Sequence, residues 1–191
     1  MIAKGHDFSD VVLVGVIDAD QTLYQSDYKS TERTFELITQ MAGRAGRAES
    51  TGVVDLQTYS PRHYAYKYIT AYNYKGFFEK ELNLRQTANF PPFSVIVRLL
   101  FTSENEEILK EVVKRTYDDL FSLAQNCDKF IYYDVMKSPI SKIMKKFRYQ
   151  ILIRIKNQDQ QDTIDEIYKI CDLNANSKVQ FFVEINPSSL S

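Results

Sequence analysis

The chain has 191 residues, 44% of them hydrophobic and 26% charged, and a formal net charge of −1. That length holds one large or two small domains with real apolar cores, and the balanced charge argues neither for nor against nucleic acid, leaving only local patches to do so. Two cysteines and two histidines without CxxC or HxxxH spacing leave no basis for a structural zinc site, and no run approaches the roughly 18 apolar residues of a membrane span or forms a signal peptide.

In chain order, residues 11–17 form an apolar run of the kind buried on both faces of a parallel sheet. Residues 18–29 read as a polar loop, with Ser30 as N-cap of a helix that buries Phe35 and Ile38. Gly52 then turns the chain into a strand over 53–58. Two amphipathic helices are expected near 62–72 and 75–88, the first within a stretch dense in tyrosine (Tyr64, Tyr66, Tyr68, Tyr72, Tyr74) that suits packing between domains or base stacking. Pro91-Pro92 is the clearest boundary, since neither residue extends a helix. Beyond it the pattern reads as a strand at 94–101, a capping box at 103–106 opening a long helix, strands at 130–136 and 147–156, a helix near 159–171 and a strand at 179–185. The order βαββαβ is that of a ferredoxin-like split unit, a two-layer α+β sandwich. Cys127 and Cys171 lie within or beside expected helices and read as buried thiols of a cytosolic protein.

The segment Gln40-Met41-Ala42-Gly43-Arg44-Ala45-Gly46-Arg47 carries the sharpest chemistry. On a continuous helix Gln40, Arg44 and Arg47 fall at i, i+4 and i+7 and share a face. Gly43 and Gly46 each cost about 1 kcal/mol in a helix interior relative to Ala, which makes sense where a backbone or a phosphate must approach closely. Guanidinium groups stay charged and present a planar fork of donors to phosphate oxygens. A surface helix with solvated arginines is the alternative.

This segment resembles motif VI of helicases with two RecA-like lobes, and Met1-Ile2-Ala3-Lys4-Gly5-His6-Asp7-Phe8 resembles their motif V. Together with Val11-Val12-Leu13-Val14-Gly15-Val16-Ile17-Asp18-Ala19-Asp20 and Phe90-Pro91-Pro92-Phe93, these residues make the chain similar to the primosomal replication-restart helicases. The similarity runs in order along the whole chain and is strongest over the first half. Arg148-Tyr149-Gln150-Ile151-Leu152 and Glu184-Ile185-Asn186-Pro187 continue it.

The resemblance implies an α/β architecture: a partial second RecA-like helicase lobe over 1–60, connecting helices over 61–90, and over 91–191 a C-terminal α+β domain that binds DNA and partners. It implies that Arg44 and Arg47 stabilise charge on the γ-phosphoryl group of ATP, with Gln40 orienting either them or the phosphate and Gly43 admitting the phosphate. Gly5 and Asp7 would couple nucleotide to DNA. Lys4 either touches a DNA phosphate or is solvated. Asp18 and Asp20 stand at the carboxyl end of a presumed parallel strand, where they hold Mg²⁺ or a basic side chain of the first lobe, or else cap turn amides. His6 and His63 lack the neighbours for acid–base chemistry.

No G-x-x-x-x-G-K-[ST] phosphate loop occurs in the 191 residues, so the chain reads as a fragment without ATPase activity of its own. The first lobe and the family's zinc-binding region would then lie outside it. ATP and Mg²⁺ are cofactors of the whole protein on this reading. Its partners are branched and single-stranded DNA, single-stranded DNA-binding protein and other primosome proteins, with movement 3′ to 5′ in the cytoplasm and no membrane.

A second surface is legible without the resemblance. Between Lys137 and Lys156 the chain carries Lys142, Lys145, Lys146, Arg148 and Arg154 and no acidic residue. Ser138, Pro139 and Ser141 suggest a loop, and Phe147 and Tyr149 alternate with basic residues on the strand after it. Basic residues interleaved with aromatics suit sequence-tolerant contact with single-stranded or branched DNA. Phe147 and Tyr149 share one face, and either stack on bases or belong to the core. Two other readings stay open: a non-catalytic DNA-binding or scaffolding module that retains a helicase-like lobe, and a RecA-lobed translocase acting on RNA.

Overall fold

A computed structural model of the chain describes residues 11–25, 27–43, 45, 52–158, 160–187 and 189. The chain divides into two compact units, Met1–Asn83 and Leu84–Ser191.

In the first unit, β1 (Leu13–Val16) pairs in parallel with β2 (Val53–Leu56), from Leu13 opposite Val53 to Val16 opposite Leu56. Both strands alternate between exposed and half-buried positions, so among the described residues only one face of the apolar run is covered. Val12, Leu13 and Ile17 remain exposed, whereas the apolar run predicted burial on both sides. A short helix α1 (Asp20–Leu23) occupies part of the expected loop, because Leu23 and Ala19 enter the core. Helix α2 (Ser30–Ala42) starts at Ser30 itself. The preceding turn is closed by Asp27, whose carboxylate accepts from the Lys29 amide at 2.9 Å, so Ser30 is not the cap. α3 (Tyr64–Thr70) and α4 (Tyr74–Thr87) follow.

Phe35 and Ile38 from α2, Ala65, Tyr66 and Ile69 from α3 and Phe77 from α4 form the core of this unit. The Phe35 and Phe77 rings stack at 4.1 Å. Tyr64 and Tyr68 pack against the same cluster, and Tyr72 and Tyr74 are exposed.

The second unit is an antiparallel four-stranded sheet in the order β4-β5-β3-β6, with β3 at Ser94–Ser103, β4 at Phe130–Ile143, β5 at Lys146–Lys156 and β6 at Gln180–Ile185. Two helices, α5 (Glu106–Asn126) and α6 (Gln160–Leu173), supply the rest. Period-two alternation sends Val95, Val97, Leu99 and Phe101 of β3 and Ile151, Ile153 and Ile155 of β5 to one face. There they meet Leu109, Val112, Val113 and Leu120 of α5 and Ile164, Ile167 and Cys171 of α6. Each fully buried side chain of this size contributes roughly 1.5–3 kcal/mol of transfer free energy, so this cluster dominates the stability of the unit. Burial also pushes the Cys171 thiol up to about 12, so it packs as an inert apolar group.

Two expected details change. Ser103 is not the cap of α5: its hydroxyl donates to the Lys178 carbonyl, and Asn105 Oδ1 accepts from the Ile108 amide instead. The expected loop at 137–141 is strand. β4 runs on to Ile143, with its register shifting near Phe130–Tyr132 and again between Lys137 opposite Tyr149 and Lys142 opposite Phe147. Pro139 sits in that irregularity on an outer strand, where a missing amide donor costs no ladder hydrogen bond.

Candidate phosphate-binding and nucleic-acid surfaces

The carboxyl end of β1 delivers Asp18 and Asp20 to different environments. Asp18 is exposed, with a left-handed φ of 54°. Asp20 is only 6% exposed. Its carboxylate accepts from Thr58 Oγ1 at 2.8 and 2.9 Å, from the Tyr59 amide at 2.6 Å and from the Tyr66 hydroxyl at 2.9 Å. The residue thus pins the segment after β2 and helix α3 to the end of β1. Burial pushes this carboxyl up, but the bonds from Tyr59, Thr58 and Tyr66 outweigh it and hold it below the usual range. The same burial raises the Tyr66 phenol to about 12. His63 is the N-cap of α3, its Nδ1 accepting from the Ala65 amide at 3.3 Å. Among the described residues no group of three or more His, Cys, Asp or Glu is placed to hold a metal ion.

A carboxyl held low in the folded state stabilises above its unfolded value of about 4, and that contribution is lost as pH falls through the lower folded value. Asp20→Asn is therefore expected to lower stability by about 1–3 kcal/mol at neutral pH. Thermal unfolding from pH 7 to pH 2 checks it: the gap between wild type and variant should close at the acidic end.

Helix α2 ends at Ala42, and Gly43 is its C-cap with φ −64°. Ala45 still donates to the Ala42 carbonyl at 3.1 Å, a tightened turn at the point where poor helix formers begin. Gln40 is exposed in the last turn of α2. Arg44 and Arg47 lie outside the described residues, as do Lys4, Gly5 and Asp7. A methyl added at Gly43 would meet the Thr39 and Gln40 carbonyl oxygens at 3.6 and 3.7 Å, ordinary contacts, and its φ suits any residue. Gly43→Ala is thus expected to leave thermal stability unchanged or raise it by about 0.4–1 kcal/mol. The melting temperature of the variant, measured beside wild type, checks it.

The basic residues of the second unit gather on the β4–β5 hairpin. Ile143 pairs with Lys146, and Met144 and Lys145 form the turn with φ of 46° and 69°. Pro139 to Lys145 are all exposed. Lys142 Nζ lies 4.3 Å from the centre of the Phe147 ring. Lys146 Nζ donates to Gln180 Oε1 at 3.0 Å, and with Lys178 it lines an open cleft of about 450 Å³ that also includes Ser103 and Asn105.

Phe147 and Tyr149 lie on the helix-covered face, packed against the core. The Tyr149 hydroxyl donates to Glu106 Oε1 at 3.1 Å. Burial first and then this bond raise the Tyr149 phenol, and the same bond holds the Glu106 carboxyl low. Arg148 is half-buried and its side chain falls on the opposite face by alternation. Arg154 also leaves the patch: it donates to the Ala88 carbonyl at 2.8 Å and sits 4.7 Å over the Phe90 ring. The hairpin lysines remain together, and the two aromatics side with the core. Lys178 and Gln180 join the patch only through pairing of β6 with β3, a proximity with no local sequence signal.

The family described as "Primosomal protein N C-terminal domain" matches residues 86–188. Among curated relatives, "Replication restart protein PriA" of Bacillus subtilis (strain 168) is 41% identical over 162 residues, covering 84% of the chain and 20% of the relative. The protein of the same name from Synechocystis sp. is 31% identical over 196 residues, covering 100% of the chain and 22% of the relative. That of Haemophilus influenzae is 29% identical over 191 residues, covering 100% and 26%. The chain spans about a fifth to a quarter of the length of these relatives.

Proposed function

The chain belongs to the primosomal protein N family, through the C-terminal domain at residues 86–188, and from that premise we propose that it is part of an ATP-dependent DNA helicase acting in replication restart. The full-length protein recognises stalled or branched forks, moves 3′ to 5′ and starts primosome assembly in the cytoplasm. The match over residues 86–188 carries this reading, and relatives named for replication restart agree with it. No helix among the described residues is long and apolar enough to cross a membrane.

Within this proposal the first unit belongs to a RecA-like lobe, for which the parallel β1–β2 pair speaks. The second is a ferredoxin-like split unit, supported by its strand order. Arg44 and Arg47 supply charge to the γ-phosphate, with Gln40 and Gly43 beside them, and Mg²⁺-bound ATP is completed by protein outside this chain. Asp18 is free of the contacts that hold Asp20 and is the better placed of the two to face a cation; Gly5, Asp7 and Lys4 act along the nucleotide–DNA track. Single-stranded DNA-binding protein and primosome proteins are the proposed protein partners.

DNA contact falls to the β4–β5 hairpin, through Lys142, Lys145, Lys146 and Arg148 on phosphates. Tyr149 is proposed to support the strand from the core side and not to stack on a base, since its ring packs inward and its hydroxyl is bound to Glu106. Titrating the purified chain with forked, single-stranded and duplex DNA at several salt concentrations tests the proposal. Binding whose logarithm falls linearly with the logarithm of salt is expected. Absence of DNA binding at low salt would end the assignment of this unit.

A further inference from the structure

The outer end of the β4–β5 hairpin combines features that a phosphate contact alone does not require. Met144 is 91% exposed, Ile140 49% and Ile143 42%, so three large apolar side chains stand in solvent around one turn. Lys142, Lys145 and Lys146 flank them, and no acidic residue occurs from Lys137 to Lys156. The turn itself is demanding. Positive φ at both central positions is the geometry for which Asn-Gly is strongly preferred, because side chains other than Gly, Asn and Asp crowd the backbone there. Met144 and Lys145 occupy it instead. Strain kept in an exposed turn, where a better sequence is readily available, is a pointer to use.

We propose that this tip is a wedge for branched DNA: Met144 and Ile143 lodge against an unstacked base step at the branch while Lys142 and Lys145 hold the flanking phosphates. The inference rests on the DNA-contact reading given above and adds where the hairpin acts. Apolar wedges of Met, Ile, Leu or Phe opening a base step beside basic residues are an established physical device, and bases at a branch are the least costly to part. Three side chains on one turn are far below the area a stable protein–protein interface buries, about 800 Å² per partner, which disfavours a protein docking site. The positive flanks match a polyanion.

The test pairs Met144→Asn with Lys145→Gly, a change that suits the turn and is expected to keep or raise the melting temperature. Binding of the chain to a fork carrying 2-aminopurine at the branch is compared with binding to uninterrupted duplex. The expected result is a roughly tenfold loss of fork affinity, the scale of withdrawing one buried Met, with most of the duplex affinity kept and the branch fluorescence increase abolished. Lys145→Gly alone, measured in parallel, separates loss of one phosphate contact from loss of the wedge. Fork and duplex affinities that fall together, or a fluorescence change that survives, would overturn the wedge while leaving the phosphate contacts standing. A wild-type chain that binds neither DNA would overturn the DNA reading itself. If a polyglutamate peptide displaces the fork from wild type but not from the variant, the tip docks acidic protein and the wedge fails.

Discussion

Under the proposed function, replacing Arg44 or Arg47 with Ala in the full-length protein is expected to lower ATP turnover by about 10³-fold and to leave DNA affinity unchanged. A finger that stabilises charge on a transferred phosphoryl group contributes mainly to the transition state, so its loss falls on turnover and spares binding of the nucleic acid. The expectation comes from the resemblance of the Gln40–Arg47 segment to a nucleotide-facing motif and from the exposure of Gln40 at the end of α2. Steady-state hydrolysis with and without single-stranded DNA, beside fluorescence anisotropy of a labelled fork, gives both quantities. A scaffold that merely retains a helicase-like lobe would show no change in either, and that result would remove the arginines from the nucleotide site.

The triple variant Lys142→Ala, Lys145→Ala, Lys146→Ala is expected to weaken fork binding by roughly 10²-fold near 0.1 M salt. It should also flatten the log–log salt dependence by about 2 to 3, since each neutralised phosphate contributes about 0.9 to the slope. The slope is the sharper readout, because it counts displaced counterions and is blind to lost packing. Some stability will also change: Lys142 lies over the Phe147 ring, a contact worth roughly 0.5–1 kcal/mol at an exposed site, and Lys146 is bonded to Gln180. A melting curve sets the temperature at which all proteins stay folded. Equal slopes for wild type and variant would show that the lysines do not meet phosphates.

The second unit was legible in the sequence because its signals are local and strong. Ile151, Ile153 and Ile155 announce a strand by alternation, and Ile164, Ile167 and Ile170 announce a helix by their spacing. Ser103 misled because its hydroxyl was already engaged with Lys178, 75 positions away. The segment at 137–141 misled because serine and proline mark loops in general, while an outer strand tolerates proline at a break in register. For the site, the lysines of the hairpin were visible as a charge run. The partners of Asp20 were not: Thr58, Tyr59 and Tyr66 reach it across 38 to 46 positions, and no spacing rule links them.

The same break in β4 bears on how concentrated solutions of this protein behave. An outer strand offers unpaired amides and carbonyls to any other strand, the usual route to amyloid-like association. Along β4 that offer is interrupted at Pro139, which has no amide to give, and is bordered by Lys137 and Lys142, which repel a second identical ribbon. The proline and the lysines of this strand therefore keep neighbouring molecules from zipping together. A variant that trades them for apolar β-formers should aggregate before it unfolds.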